Sequence, residues 1–329
     1  MSYRLLLTLL GLCTFLLFVV SLLVGPAGLD VATSFASLFS GENEAAAIVM
    51  REIRLPRAIL GMMVGATLGL SGAVLQGYLR NPLADPSVLG VSGAASLGAV
   101  IAIYSGLSAV FALALPLCAI AGAVIAVLLV HTLAGRVASV LTLILAGVAI
   151  NTISSAFTSL VLSLSTNPYA SIEIVFWMLG SLTDRSMTHV WLSLPFIVLG
   201  WLILMRLGRD LDALSLGPDV AATMGIRLER TQTLAIIGTA SAVGAATAVA
   251  GAIGFVGLVV PHLLRPLVGN QPSRLLAASA VGGAAVILAA DIAVRLIAPE
   301  RDLKLGVLTA IIGTPFFLWL ILEQRRKLT

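Results

Sequence analysis

RLPRAILGMMVGATLGLSGAVLQGYLRNPLADP, residues 54–86, is the stretch that decides the fold. Arg54 and Arg57 bracket Pro56, and proline suits the first turn of a helix. The glycine-studded apolar run behind them is long enough to cross a bilayer. It ends in the polar turn Asn81-Pro-Leu-Ala-Asp-Pro86. Gly61, Gly65, Ala66, Gly69 and Gly72 recur near four-residue spacing, which lets a neighbouring helix approach closely. The segment predicts a helix packed tightly inside membrane protein, with a cationic pair at one mouth and a rigid polar turn at the other. An ordinary span with snorkelling arginines is the alternative.

Composition extends this reading to the whole chain. With 59% hydrophobic and 10% charged residues over 329 positions and a mean hydropathy of +1.10, it reads as an all-α polytopic membrane protein, one transmembrane domain over residues 1–329. A soluble domain carries roughly a quarter of its residues as charges. The apolar runs are continuous rather than alternating, which argues against a barrel. No stretch is left for a sizeable soluble domain, so any nucleotide hydrolysis belongs on another chain. The net charge of +4 reflects loops, not nucleic-acid binding. Cys13 and Cys118 lie in apolar runs and read as small core residues. His131, His189 and His262 lack metal-ligand spacing, so no metal and no cofactor is expected on this chain.

Ten apolar runs approach spanning length, at about 5–24, 56–78, 88–105, 110–133, 140–164, 190–207, 231–252, 254–269, 275–297 and 305–322. No small-x-small cleavage site follows the first, which is read as a retained span rather than a signal peptide. Ten spans put both termini on one side. If that side is cytoplasmic it holds 12 of the 19 Lys and Arg residues, which is the direction of the positive-inside bias. Four exceptions, Arg51, Arg54, Arg57 and Arg295, sit at or near two span mouths on the other side, where an acidic partner would explain them. Residues 165–189 read as an outer loop with an interfacial helix, Trp177 and Trp191 serving as interface anchors. Residues 208–230 form the longest polar stretch on the inner side, and Gly217-Pro218 and Gly225 divide it into two short helices.

The pattern GA-x5-GA-x8-P occurs twice, at Gly65, Gly72 and Pro82 and again at Gly244, Gly251 and Pro261. The copies fall in the second and seventh runs, hence in opposite orientation. Inverted repeats are the usual architecture of alternating-access transporters.

Several longer motifs resemble a known family. RLPR, SGAVLQGYLRNPLADPSVLGVSGAASLGA, LAGVAI, FWMLGSL, DLDALSLGPDVAATMGI, GAIGFVGLVVPHLLRPLVG, AADIAVRL and GVLTAIIGTPFFLWL stand in the order and spacing of the FecCD-type permeases. These are membrane subunits of ABC importers for iron–siderophore complexes, haem and cobalamin. The resemblance runs from about Arg51 to Trp319. It implies a type II ABC importer permease in the bacterial inner membrane, both termini cytoplasmic, paired with a second copy as a homodimer. It also implies a pathway at the dimer interface, a periplasmic substrate-binding protein outside, and two ATPase subunits inside that hold the ATP–Mg.

The same resemblance implies roles for particular residues. Arg54, Arg57 and Arg295 match the outer arginines that meet binding-protein carboxylates; holding lipid headgroups is the alternative. Leu214, Leu216, Gly217, Ala221, Ala222 and Gly225 fall in the cytoplasmic coupling helices that seat on the ATPase. The fifth run, with Gly147 and Asn151, lines the pathway, and the turn at 138–142, with Val140 and Leu141, corresponds to the inner gate. Ser154, Ser155 and Thr158 are consistent with a wetted face or with backbone bonding inside a bundle. Lys304 replaces a proline that often precedes GVLTA. Asp291 is the only acid placed well inside a span. It can pair with Arg295 at i,i+4, and in a proton-coupled carrier, the rival function, it would be the relay. Iron–siderophore is the expected cargo, with haem and cobalamin open.

Overall fold

The computed structural model describes residues 2–25, 27–39, 44–111, 113–134, 140–298 and 303–328. α1 (Tyr3–Leu23) is followed by the short α2 (Val31–Phe39) and α3 (Glu44–Ile48), and a π-helical turn at Val49–Arg54 runs into α4 (Leu55–Tyr78). A 3-10 turn at Pro86–Leu89 leads to α5 (Val91–Tyr104), α6 (Leu107–Val110), α7 (Ala114–Ala134) and α8 (Val140–Leu164). Then come α9 (Pro168–Met178), α10 (Met187–Met205), α11 (Gly208–Leu214), α12 (Pro218–Thr223) and α13 (Leu228–Ala250). α14 (Val256–Leu264), α15 (Pro272–Ile297) and α16 (Leu305–Leu328) complete the order, and no strand occurs among the described residues.

Among the described residues, seven helices are long and apolar enough to cross a membrane. The runs at 88–105, 254–269 and 305–322 instead carry the shorter apolar segments of α5, α14 and α16. Ten runs therefore stand as seven helices that meet both criteria, the 24-residue α16 with its apolar part at Leu305–Leu320, and the shorter α5 and α14. Long-range bonds set their directions. Tyr3 Oη donates to the Arg274 carbonyl, so α1 and α15 start at the same end. Asp212 of α11 accepts from the Ser273 amide there at 2.8 Å, and α13 starts beside α11 through Thr231 Oγ1 to Asp210 at 2.7 Å. At the opposite end Arg57 of α4 meets Asp291 of α15. α13 finishes at that end too, its last carbonyl accepting from the Ser181 amide next to Leu182, which packs near Gly61 of α4.

α4 and α13 are therefore antiparallel, the relation an inverted repeat requires. The two copies of the sequence echo diverge after their second Gly-Ala. Gly72 lies inside α4, whereas Gly251 ends α13 at φ +72°; Pro82 sits in a turn, and Pro261 sits inside α14. Because α13 ends at one end and α15 starts at the other, the nine-residue α14 and its flanking backbone make the return. Irregular backbone at this depth is tolerated only where protein covers it, and Val256, Gly257, Leu258 and Val260 are buried.

The core is central rather than layered. Of its most apolar window α4 buries 83%, α13 78% and α15 67%, against 22% for α1 and 28% for α8 and α10. The first three form the axis of the bundle and the others surround it. α4 and α15 touch backbone to backbone: a side chain at Gly65 would collide with the Gly283 carbonyl, and one at Gly69 with that of Ser279. Cys13, expected in the core, faces outward on α1, whose other face alone packs on the bundle. α9 is the helix expected in 165–189, but its Trp177 is buried, and of the two expected anchors only Trp191 is exposed.

Candidate translocation face and the two ends of the bundle

Where α4 begins, four arginines converge on helix ends and on one carboxylate. Arg51 Nε donates to the Leu38 carbonyl of α2 at 3.1 Å. Arg54 Nη1 donates to the Leu22 and Leu23 carbonyls at 3.0 and 2.9 Å. Arg295 Nη1 reaches the Ser21 and Val24 carbonyls at 2.8 and 2.7 Å, and its Nη2 reaches Ser21 Oγ at 2.6 Å. The last carbonyls of a helix have no partner within it, and at a membrane boundary little water replaces one. Three guanidinium groups thus close the C-terminal ends of α1 and α2.

Asp291 binds donors of Arg57 and Arg295. Arg57 holds it through Nε at 2.9 and 3.2 Å and Nη2 at 2.9 Å, and Arg295 Nη2 holds the other oxygen at 2.7 Å. Arg54, Arg57 and Arg295, the outer arginines expected to meet binding-protein carboxylates, are largely covered within this chain. Arg54 is 3% exposed, and the Arg295 and Arg57 side chains are 7% and 15% exposed. Backbone carbonyls and Asp291 draw them inward, and only Arg57 reaches the surface. Arg54, Arg57 and Arg295 around the single carboxylate of Asp291 leave a local excess of positive charge in this cluster. Asp291 has both oxygens taken by guanidinium donors, which leaves a proton relay no open partner.

α8 divides the residues expected to line the pathway. Gly147 and Ser154 are buried, as is Thr158, and Gly147 lies against the carbonyl of Val88. Asn151 donates to the Ser87 carbonyl at 3.1 Å, so it fastens α8 to the 3-10 turn rather than projecting freely. Leu141 and Ser155 are exposed. The expected gate turn lies partly outside the described residues, as does the side chain of Val140. On the open side two stripes run along the helix. Leu141, Leu145, Val148, Thr152, Ser155 and Ser159 form one, passing from apolar to hydroxyl-bearing. Ile153, Phe157, Leu160 and Leu164 form the other, about 100° further round. A stripe of hydroxyls and modest side chains suits water; a stripe of large apolar ones suits lipid. Spacing of three and four would have found Thr152 and Ser159 in the sequence.

At the opposite end α11 and α12 make a rigid foot. Leu214 and Ala221 are buried against the bundle, so these two expected contact residues hold the foot in place instead. Ala222 and Leu216 face outward. Gly217 and Gly225 have φ of +113° and +85°. Gly225 closes α12 with the Ile226 amide on the Ala221 carbonyl and its own amide on that of Ala222, a left-handed cap that favours glycine. A side chain there would meet no other atom of this chain, and the positive φ is itself a reason for glycine at the turn. Leu216, Val220 and Met224 project together at 63%, 44% and 60% exposure. Their four-residue spacing in a polar loop was the signal for Val220 and Met224.

The FecCD transport family model matches residues 13–323. An uncharacterised ABC transporter permease of Bacillus subtilis, YvrB, is 40% identical over 283 residues, 84% of this chain and 80% of that one. The cobalamin import system permease BtuC of Halobacterium salinarum is 41% identical over 292 residues, 88% and 77% of the two chains. A solved inward-facing structure of a metal-chelate type ABC transporter superposes with a TM-score of 0.86 at 32% identity, covering 96% of this chain and 98% of the other. The architecture and the match both run through almost the whole sequence. The chain is a transport component whose ATP is hydrolysed on separate subunits, and it belongs to the FecCD transport family of ABC importer permeases.

Proposed function

We propose that the protein moves a bulky metal chelate across the bacterial inner membrane as one of two identical permease subunits, driven by two ATPase subunits and supplied by a periplasmic binding protein. The open face of α8 carries the reading. Its stripe from Leu141 to Ser159, apolar in its first half and hydroxyl-bearing at Thr152, Ser155 and Ser159, is uncovered in the single chain and has no charged side chain. Two such faces opposed across a dimer would enclose a wide, weakly polar channel, which passes a bulky solute without gripping it. The local excess of positive charge around Arg57 supports docking of an acidic binding protein at one mouth. Leu216, Val220 and Met224 support docking of the ATPase at the other. Both termini are then cytoplasmic, and cysteines at Ser186 and Ser215 should label from opposite sides.

Cobalamin is the first cargo to test, because relatives at about 40% identity are named for it; iron–siderophore is the second. The discriminating experiment places single cysteines along α8 in the assembled transporter. A bulky thiol reagent at Ser155→Cys or Thr152→Cys should block ATP-driven uptake, while Phe157→Cys should tolerate it. Equal sensitivity of the two stripes would reject α8 as the pathway wall, and free uptake after modification of Ser155→Cys and Thr152→Cys would do the same.

A further inference from the structure

A recessed cavity of about 290 Å³ opens at the foot end between α4, α11 and the loop from α14 to α15. Arg80, Arg265, Gln76, Ser215 and Asn270 supply its polar wall, and no carboxylate lines it. Arg265 is fixed: Nη2 donates to Gln76 Oε1 at 2.6 Å, while its buried Nε has no hydrogen-bond partner among the described residues. Gln76 is itself held by its amide nitrogen among the Ala84, Gly257 and Leu258 carbonyls at 3.2–3.3 Å. A neutral amide oxygen is thus what the protein offers a partly buried guanidinium, and the positive charge stays uncompensated.

Arg80 adds a second cation in an unusual way. α4 ends in a Schellman turn, with the Asn81 amide on the Gln76 carbonyl and the Arg80 amide on that of Gly77. Arg80 occupies the left-handed position at φ +47°, where glycine is cheaper. Asn270, across the cavity, is also left-handed at φ +58°. Strain kept at a lined cavity is a reason to look for function, and here it holds an exposed guanidinium over the opening.

Ser215 ties the cavity to the foot, since it lies between α11 and α12 next to the projecting Leu216. We propose that the cavity is the seat for a carboxylate side chain of the ATPase subunit. That acid would enter between Arg80 and Arg265 while the apolar residues of the foot dock beside it. The paired guanidinium groups suit a carboxylate, the charge-assisted bond being about twice as strong as a neutral one. This rests on reading the foot as the ATPase contact, and the RNPLADP turn gains a role from it: it aims Arg80.

The test measures ATPase binding to the permease in nanodiscs across a salt series. Arg80→Gly removes the cation and relieves the left-handed strain, so the variant should fold at least as well as wild type. It should bind the ATPase about tenfold more weakly at low salt, with the difference shrinking as salt rises. Arg80→Lys should keep part of the affinity. In an Arg80→Glu background, changing one acidic residue of the ATPase to lysine should restore binding. Val220→Asp is the control for the foot. If Val220→Asp abolishes binding and Arg80→Gly leaves its affinity and salt dependence unchanged, the cavity claim fails alone. If Val220→Asp binds normally, the reading of the foot fails. If Arg80→Gly alters only the preference for phosphatidylglycerol over phosphatidylcholine discs, the occupant is a lipid and the proposal is overturned.

Discussion

Asp291→Asn is the sharpest probe of how the bundle is held at its arginine end. Asparagine keeps the shape of the side chain and can still accept bonds through one oxygen, but it removes the single negative charge among Arg54, Arg57 and Arg295. Asp291 is buried with 2% of its side chain exposed, and Arg295 with 7%. Removing one partner of a buried ion pair costs about 3–5 kcal/mol, because the other charge is left behind. Arg57 is 15% exposed and can turn toward water, so the lower end, about 3 kcal/mol, is expected. Thermal unfolding in detergent should then start roughly 5–10 °C lower than in wild type. A double-mutant cycle isolates the pair. Arg57→Gln with Asp291→Asn should cost less than the sum of the single changes by about 1–3 kcal/mol. Wild-type stability in Asp291→Asn, or strict additivity in the cycle, would refute the argument that these charges hold one another.

Gly69→Ala should prevent normal folding, since a methyl there meets the backbone carbonyl of Ser279 and α15 cannot retreat without opening the core; yield of monodisperse protein reads this directly. Gly225→Ala should cost about 1–2 kcal/mol through the left-handed backbone alone, whereas Val220→Asp should leave the melting temperature unchanged and abolish ATPase binding. Asp85 caps the 3-10 turn by accepting from the Ser87 amide at 2.9 Å, and burial pushes its carboxyl above the usual range. A raised carboxyl favours the fold at low pH and loses that contribution as pH rises through its folded value. Asp85→Asn, which keeps the cap, should therefore be more stable than wild type at pH above the folded carboxyl's own pKa, with the gap closing on acidification.

Much of this was legible before any coordinates, because membrane spans declare themselves by length and apolarity. α4 forms from Leu55 to Tyr78 with Gly65 and Gly69 turned to α15 and Gly72 to α14, the close approach their spacing implies. The two short helices of the inner loop were equally plain, since Gly217-Pro218 and Gly225 punctuate them. The fate of the arginines was not legible. A charge at a span mouth announces a need for a partner, but not that the partner is the C-terminal backbone of α1, more than 25 residues away in sequence from Arg54 and over 270 from Arg295. Nor does a run of apolar residues say which side of α8 is covered. Gly147 and Ser154 read as pathway residues in the sequence, and in the fold both are buried against neighbouring elements. α14 was hardest, because nine helical residues with irregular flanks can return across the bundle only when neighbours cover the backbone.

The central claim is ATP-driven import, and reconstitution measures it directly. Permease, its ATPase and its binding protein loaded with cobalamin, or with an iron–siderophore complex in a parallel arm, are placed in proteoliposomes so that the foot and ATPase face the side that receives substrate. Accumulation of one of these chelates that requires ATP, requires the binding protein and survives a protonophore is the predicted result. Uptake that proceeds without ATP and collapses with the protonophore would contradict the account.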